Sequence, residues 1–195
     1  RNNLINKKDK ELALIKSISG IRGTIGGRYN ENLTAQDIVE CTAAFGYWTI
    51  KNTGIKKIVV GRDARMSGEL ASQLVISTLR MVGINVVDLD YSTTPTVELA
   101  VPLEKAGAGI ILTASHNPRQ WNALKFLNEK GEFISKSEGQ DVLDLIESNE
   151  VEYADVDSLG GYCRDGDYIK KHIQHILDLP LVDQQAVIDK QYKVI

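Results

Sequence analysis

Residues 108–126, AGIILTASHNPRQWNALKF, decide how the chain is read. The first five, Ala108 to Leu112, are apolar and partly β-branched, a run too short for a helix and suited to a buried strand. At Thr113 the apolar character stops. Thr113 to Pro118 then supply two hydroxyls, an imidazole and a carboxamide, and close on a proline that can neither donate to a sheet nor continue a helix. A polar cluster at the carboxyl end of a buried strand marks a working loop, because helix amino termini and loop amides converge at that edge of α/β sheets. The plainer reading is a strand-to-turn junction in which Ser115 and Asn117 bond to local backbone. Beyond the loop, Lys125 to Leu127 and Glu132 to Ile134, separated by NEKG, read as a hairpin or edge pair.

Working outward, Lys57 to Gly61 (KIVVG) and Asn85 to Asp90 (NVVDLD) are two further strands. Thr34, with Asp37 three residues on, caps a helix running to Thr53 with Ile38, Cys41, Phe45 and Trp48 on one face, and Gly54 ends it. Ser67 is expected to cap a second helix, Gly68 to Val82, with Leu70, Leu74, Ile76, Leu79 and Val82 available for packing. Thr94-Pro95 opens a third, and Ser135 to Asn149 forms a fourth. Between strand and helix, GRDARMSGE places Arg62, Asp63 and Arg65 where they can pair as an ion network that fixes the loop. The alternation of strands and helices calls for a layered α/β sheet with helices on both faces.

The segment ALIKSISGIRGTIGG, Ala13 to Gly27, reads as a short alternating strand opening into a loop with four glycines. Glycines let backbone amides approach an anion, and Arg22 adds a fork of donors, so the loop suits phosphate. The alternative is a flexible entry loop with a solvated arginine. Downstream, Glu150 to Gly161 reads as a surface connection. Asp165 and Asp167 read as charges at the amino end of a Tyr168–Leu179 helix. His172 and His175 share a face of that helix without a third metal ligand nearby, which favours a solvated or half-buried pair over a metal site. Pro180 stops the helix, Leu181 onward restarts as a short helical segment, and Tyr192 to Ile195 looks like the start of a strand.

The chain has 195 residues, 43% hydrophobic and 25% charged, which is ordinary for a globular protein with one core. A net charge of −3 argues against nucleic acid as a partner. No apolar run approaches the roughly 20 residues needed to span a bilayer, so no membrane partner is expected. Cys41 and Cys163 make no disulfide framework, and a reducing cytoplasm is the simplest compartment. RNNLINKKDKEL, residues 1–12, is polar and reads as a leader or added remnant.

TASHNP, followed by Asn122 and Lys125, resembles the active-site serine loop of the α-D-phosphohexomutases, the phosphoglucomutase and phosphomannomutase family. SGIRG around Arg22 is similar to that family's amino-terminal arginine loop, and GRDARMSG to a family scaffold beside the site. This chain departs from the family's usual glycine at Ala123 and from its frequent tyrosine at Trp121. The resemblance implies a three-layer α/β/α sandwich with a mixed, mostly parallel sheet, the first of four domains. Residues 13–179 would form it, and residues 180–195 the linker and start of the second.

The resemblance implies that Ser115 carries a phosphoryl group between hexose 1-phosphate and hexose 6-phosphate, with glucose 1,6-bisphosphate as activator or intermediate. Mg²⁺ would meet Ser115 through its phosphate. Arg22 would brace the transferring group, Lys125 would handle a proton, and His116 would border the site. Asn117 and Asn122, with Arg22, would bind the substrate phosphate. Alternatives are a phosphoglucosamine mutase of the same family and a phosphosugar-binding module that does not turn over. A serine hydrolase fits poorly, since the chain has no G-x-S-x-G elbow around Ser115. Which sugar, and which oligomeric state, the sequence leaves open.

Overall fold

The computed structural model describes residues 13–17, 20–148 and 150–193. The expectation for residues 1–12 lies outside them, as do Asn149 and the last two residues of the expected terminal strand. Among the described residues, seven strands form one sheet: β1 (Leu14–Ser17), β2 (Gly20–Thr24), β3 (Lys57–Arg62), β4 (Asn85–Tyr91), β5 (Ala108–Leu112), β6 (Trp121–Leu127) and β7 (Tyr162–Arg164). Their order across the sheet is β1-β2-β6-β5-β3-β4-β7. The helices are α1 (Ala35–Thr53), α2 (Gly68–Met81), α3 (Thr94–Leu103), α4 (Lys136–Ser148), α5 (Tyr168–Leu177) and α6 (Gln184–Lys190).

Strands β3, β4, β5 and β7 pair in parallel, while β6 runs antiparallel to both β5 and β2, and β1 antiparallel to β2. Two reversals return β2 to the direction of β5, so five strands point one way and β1 and β6 the other. The sheet is thus mixed and mostly parallel, as expected. From β3 the chain crosses through α2 to β4 on one side, then returns through α3 to β5 on the other side of β3. Right-handed crossovers in opposite directions put α2 and α3 on opposite faces. Side chains separate accordingly with period two: Ile58 and Val60 join α1, α2 and α4 in one core cluster, and Val59 joins α3 and Tyr168 of α5 in a second. Phe45 stacks on Phe126 of β6 with centroids 4.1 Å apart and on Trp48 at 5.6 Å.

Helix α1 follows its sequence signals closely. Thr34 and Asp37 form a reciprocal capping box, Gly54 closes the helix in a left-handed conformation, and Ile38, Cys41, Phe45 and Trp48 are all buried. Burial pushes the Cys41 thiol up to about 12. The two cysteines are free, Cys41 buried and Cys163 exposed. No helix among the described residues is long and apolar enough to cross a membrane.

Several expectations need correction. The glycine-rich segment around Arg22 is a strand, not a loop. Gly20 and Gly23 serve close strand contact: a Cβ at Gly20 would collide with the Leu124 carbonyl oxygen, and one at Gly23 would lie 2.9 Å from the Ala13 carbonyl oxygen. Ser67 makes no side-chain cap bond; its hydroxyl accepts from Asn122 instead. Leu70 is 67% exposed, and α2 packs through Ala71, Val75 and Leu79. Strand β6 starts at Trp121, four residues early, and the expected Glu132–Ile134 strand reduces to a bridge between Leu127 and Phe133.

Arg62 turns away from Asp63 to pair with Asp90 at 2.8 Å and to lie over the Tyr91 ring. Strand β7, three exposed residues without alternation, carried no readable signal and exists through pairing with β4. Helix α5 stops at Leu177, two residues short of expectation. Asp165 and Asp167 pair with Lys171 and Lys170, and His172 shares a hydrogen bond with Thr96 at 2.9 Å.

The close approach at Gly20 generates a paired prediction. Gly20 and Gly26 both have positive φ, 128° and 88°, but a Cβ at Gly26 meets nothing within 4 Å. Gly26→Ala is expected to cost about 1 kcal/mol of backbone strain, and Gly20→Ala at least about 2 kcal/mol more, because the strand pair must open. Urea unfolding of the two variants measures the difference; equal midpoints would contradict the β2–β6 geometry.

Candidate active site at the carboxyl end of β5

The crossovers leave a crevice between the carboxyl ends of β3 and β5, where loops from both strands meet. The ladder continues past the strands: Asp63 donates its amide to Leu112 O at 3.0 Å, and Thr113 donates to Ala123 O at 3.1 Å. Ala114 is buried, and the next residue, Ser115, is exposed with φ of 52°. A left-handed conformation is uncommon for a residue bearing a Cβ and is held where its surroundings enforce it. Here the surroundings are specific. Ser115 N–H donates to Thr113 Oγ1 at 3.1 Å, Asn117 donates both its amide and Nδ2 to Ala114 O, at 3.0 and 2.9 Å, and Trp121 donates to Pro118 O at 3.0 Å.

Arg65, from the loop after β3, holds the underside of this turn. Its Nη2 donates to Ser115 O at 2.7 Å and Asn117 O at 2.9 Å, and its Nη1 to Pro118 O at 2.9 Å and Trp121 O at 3.0 Å. Its Nε lies 3.3 Å from Asp63 Oδ2, close enough for charge attraction although not aligned as a hydrogen bond. The ion pair read from GRDAR is therefore present between Asp63 and Arg65. The four carbonyl contacts were not readable, because nothing in sequence spacing tells which distant carbonyls a guanidinium meets.

Asn122 was expected at the substrate phosphate, and the structure assigns it elsewhere. It is fully buried, donating Nδ2 to Ser67 Oγ at 2.9 Å and accepting from the Ala123 amide at 2.8 Å. Both ends of the side chain are engaged, so Asn122 braces the serine loop against α2. Asn117 is half-buried and spends its Nδ2 inside the loop. His116 is exposed, with no hydrogen bond to any described residue, so it does not hold the loop.

Arg22 and Lys125 do come together. Arg22 pairs with Ala123, and Lys125 stands two residues along from Ala123, opposite Ile111. Period-two alternation therefore sets Arg22, Ala123 and Lys125 on one face of the sheet, the side carrying α3. Ala123 lies in extended strand, so its Cβ meets no positive-φ requirement. A cavity of about 400 Å³ opens on that face, with Ser17, Gly20, Arg22, Lys125 and Phe133 among its lining. Among the described residues no carboxylate lines it, and its two cations favour an anionic occupant. Ser115 is not part of that lining; it stands at the end of the neighbouring strand, two residues past Thr113, which is bonded to Ala123.

The family model described as phosphoglucomutase/phosphomannomutase, alpha/beta/alpha domain I, matches residues 14–152. A phosphoglucomutase/phosphomannomutase from Thermococcus kodakarensis is 34% identical over 169 residues, covering 85% of this chain and 36% of its own length. A phosphoglucosamine mutase from Ligilactobacillus salivarius is 36% identical over 133 residues, 67% of this chain and 29% of that protein. A crystal structure of a phosphoglucomutase/phosphomannomutase family protein from Burkholderia thailandensis superposes with a TM-score of 0.70 at 25% identity, covering 89% of this chain and 37% of that one. The chain thus spans about a third of the length of these relatives. With the sheet, the serine loop and the family match over most of the chain in agreement, it belongs to the phosphoglucomutase/phosphomannomutase family, as domain I of that fold.

Proposed function

We propose that this chain is the catalytic-serine domain of a longer phosphohexomutase, interconverting hexose 1-phosphate and hexose 6-phosphate through a phosphoserine at Ser115. The single observation that carries the reading is Ser115 itself: an exposed residue on a strained, cross-braced turn at the carboxyl end of a buried parallel strand, whose neighbouring strands β6 and β2 carry the cations Lys125 and Arg22. In the first half-reaction the bond between phosphorus and Ser115 Oγ breaks as one to the free sugar hydroxyl forms, the hydroxyl losing a proton and Ser115 Oγ gaining one. In the second the bond from phosphorus to the other sugar oxygen of the bisphosphate breaks as the bond to Ser115 Oγ re-forms, and the proton moves in the opposite sense. Arg22 supplies planar two-point recognition of phosphoryl oxygens, and Lys125 is the proton carrier of the same cavity. Glucose 1,6-bisphosphate is the expected intermediate, which returns a phosphoryl group to Ser115 in each turnover, and the expected activator, which reloads a Ser115 that has lost its phosphate.

Mg²⁺ is expected against the Ser115 phosphate. The described residues do not form its site alone: none of them groups three or more His, Cys, Asp or Glu side chains for a metal. Relatives bear both phosphoglucomutase/phosphomannomutase and phosphoglucosamine mutase names, so the proposed substrate class is a hexose phosphate with or without an amino group. A cytoplasmic setting accords with the two free cysteines.

Three expected outcomes follow from these roles. In the full-length enzyme, Ser115→Ala and Ser115→Gly should each lower kcat by several orders of magnitude, about what loss of a nucleophile costs. Ser115→Gly should nevertheless melt no lower than wild type, since glycine relieves roughly 1 kcal/mol of left-handed strain. Retention of a tenth of the wild-type rate, read in a coupled assay with glucose 1-phosphate and glucose 1,6-bisphosphate, would remove Ser115 from the reaction. Arg22→Lys should cost about tenfold in kcat/KM, equivalent to about 1.4 kcal/mol, because a point charge lacks the planar fork. Unchanged kinetics would return Arg22 to a passive strand position. The 195-residue chain alone should melt cooperatively yet show no steady turnover in that assay, and sustained turnover would refute the multidomain reading.

A further inference from the structure

We propose that Arg65 is a positioning residue for phosphoryl transfer: by collecting four carbonyls of the serine loop on one guanidinium, it sets the left-handed turn that presents Ser115. This rests on the reading of Ser115 as phosphoryl carrier. The terminal donors are used completely. Two terminal nitrogens carry four N–H groups, and these meet the carbonyls of Ser115, Asn117, Pro118 and Trp121 at 2.7 to 3.0 Å. The shortest of the four is to Ser115 itself, the residue whose φ of 52° has to be enforced. Asp63 faces the remaining Nε and fixes the side chain from behind, while its Oδ1 accepts from the Arg65 amide at 3.0 Å. The Arg65 side chain is 12% exposed; its bonds to Ser115 and Pro118 lie at the surface and those to Asn117 and Trp121 are half-buried, and all four are charge-assisted, which makes them stronger than neutral ones.

The arrangement also orients the loop's donors. The described chain has no cis peptide bond. In a trans peptide the N–H points opposite to the preceding carbonyl, so drawing the Ser115 and Pro118 carbonyls onto Arg65 turns the His116 and Arg119 amides away from it. Neither amide donates to any other described group. Two unpaired amides on the side of the turn opposite the Arg65 cation are suited to phosphoryl oxygens on Ser115. A lysine cannot take this role: an ammonium has three donors and no planar fork, so it cannot span four carbonyls.

The test has two arms, each run on wild type, Arg65→Lys and Arg65→Ala. In the 195-residue chain, amide hydrogen exchange by NMR reads the turn bonds at Asn117 and Trp121, with the β3 amides as an internal reference. Both variants are expected to lose protection in the turn while the reference holds. In the full-length enzyme, kcat is expected to fall about 100-fold with KM for the hexose phosphate nearly unchanged, the scale of a misplaced reacting group. Added guanidinium, below denaturing concentration, should recover part of kcat in Arg65→Ala and nothing in Arg65→Lys, where the cavity is filled. Unchanged turn protection, or lost protection with kcat intact, overturns the proposal. A rise in KM at constant kcat also overturns it, by making Arg65 a binding group. If Arg65→Ala does not fold, Arg65→Lys alone decides on the first two readouts. A wild-type enzyme without mutase turnover would instead overturn the reading of Ser115, a failure distinct from a lysine variant that turns over normally.

Discussion

Strand β6 is the constraint on which the rest of the structure depends. It is hydrogen-bonded on both edges, to β5 through Leu112–Leu124 and to β2 through Arg22–Ala123, and it runs against both. A parallel strand after β5 would have required a long crossover, and the serine loop would have become the entry to a helix. An antiparallel neighbour is reached by a short reversal. The loop from Thr113 to Gln120 is that reversal, pinned at each end by a ladder bond. Because β2 then adds to the far edge of β6, Arg22 arrives within two strands of Ser115 although it lies 93 positions away in sequence.

The reversal needs a rigid footing, and the two cores provide it. All five residues of β5 are buried, and their side chains alternate between the cluster of α1, α2 and α4 and the cluster of α3 and α5. A strand gripped on both faces and both edges has little freedom to relax, so a strained turn at its end stays strained. Charge is distributed to match. Around the turn Arg65 has its own carboxylate, Asp63, whereas Arg22 and Lys125 line a cavity with no carboxylate among the described residues. The cation that has a carboxylate holds the scaffold, and the two cavity cations face the space for an anion.

The first core cluster is also where the local sequence signals proved most dependable. Helix α1 has a capping box, an apolar face at helical spacing and a terminating glycine, and all three are realised with the expected residues. These signals act within one or two turns of chain, so no distant partner can reverse them at low cost. Elsewhere local signals competed with distant ones and lost. Ser67 had the chemistry of a helix cap, but Asn122, 55 residues away, took its hydroxyl. Glycines that resembled a flexible phosphate loop instead let two strands approach closely.

By itself the sequence determined the alternation of strands and helices, the identity of β5 as a buried strand and the polar loop after it. Those features depend on hydrophobic period, on capping chemistry and on residue type, all of which are local properties. Ser115, Arg22 and Lys125 became the residues to follow through the resemblance of their motifs to a known family, not through these local signals. The tertiary structure alone decided that Arg22 sits in a strand, that β6 and β2 are neighbours, that β7 exists, and that Asn122 supports rather than faces the cavity. It also decided that Arg65 gathers four carbonyls from residues 50 to 56 positions away. Each of these is a pairing between segments remote in the chain. The physical reason is that a donor's type is written in the sequence, whereas its partner is fixed by where packing of the whole sheet brings the two together.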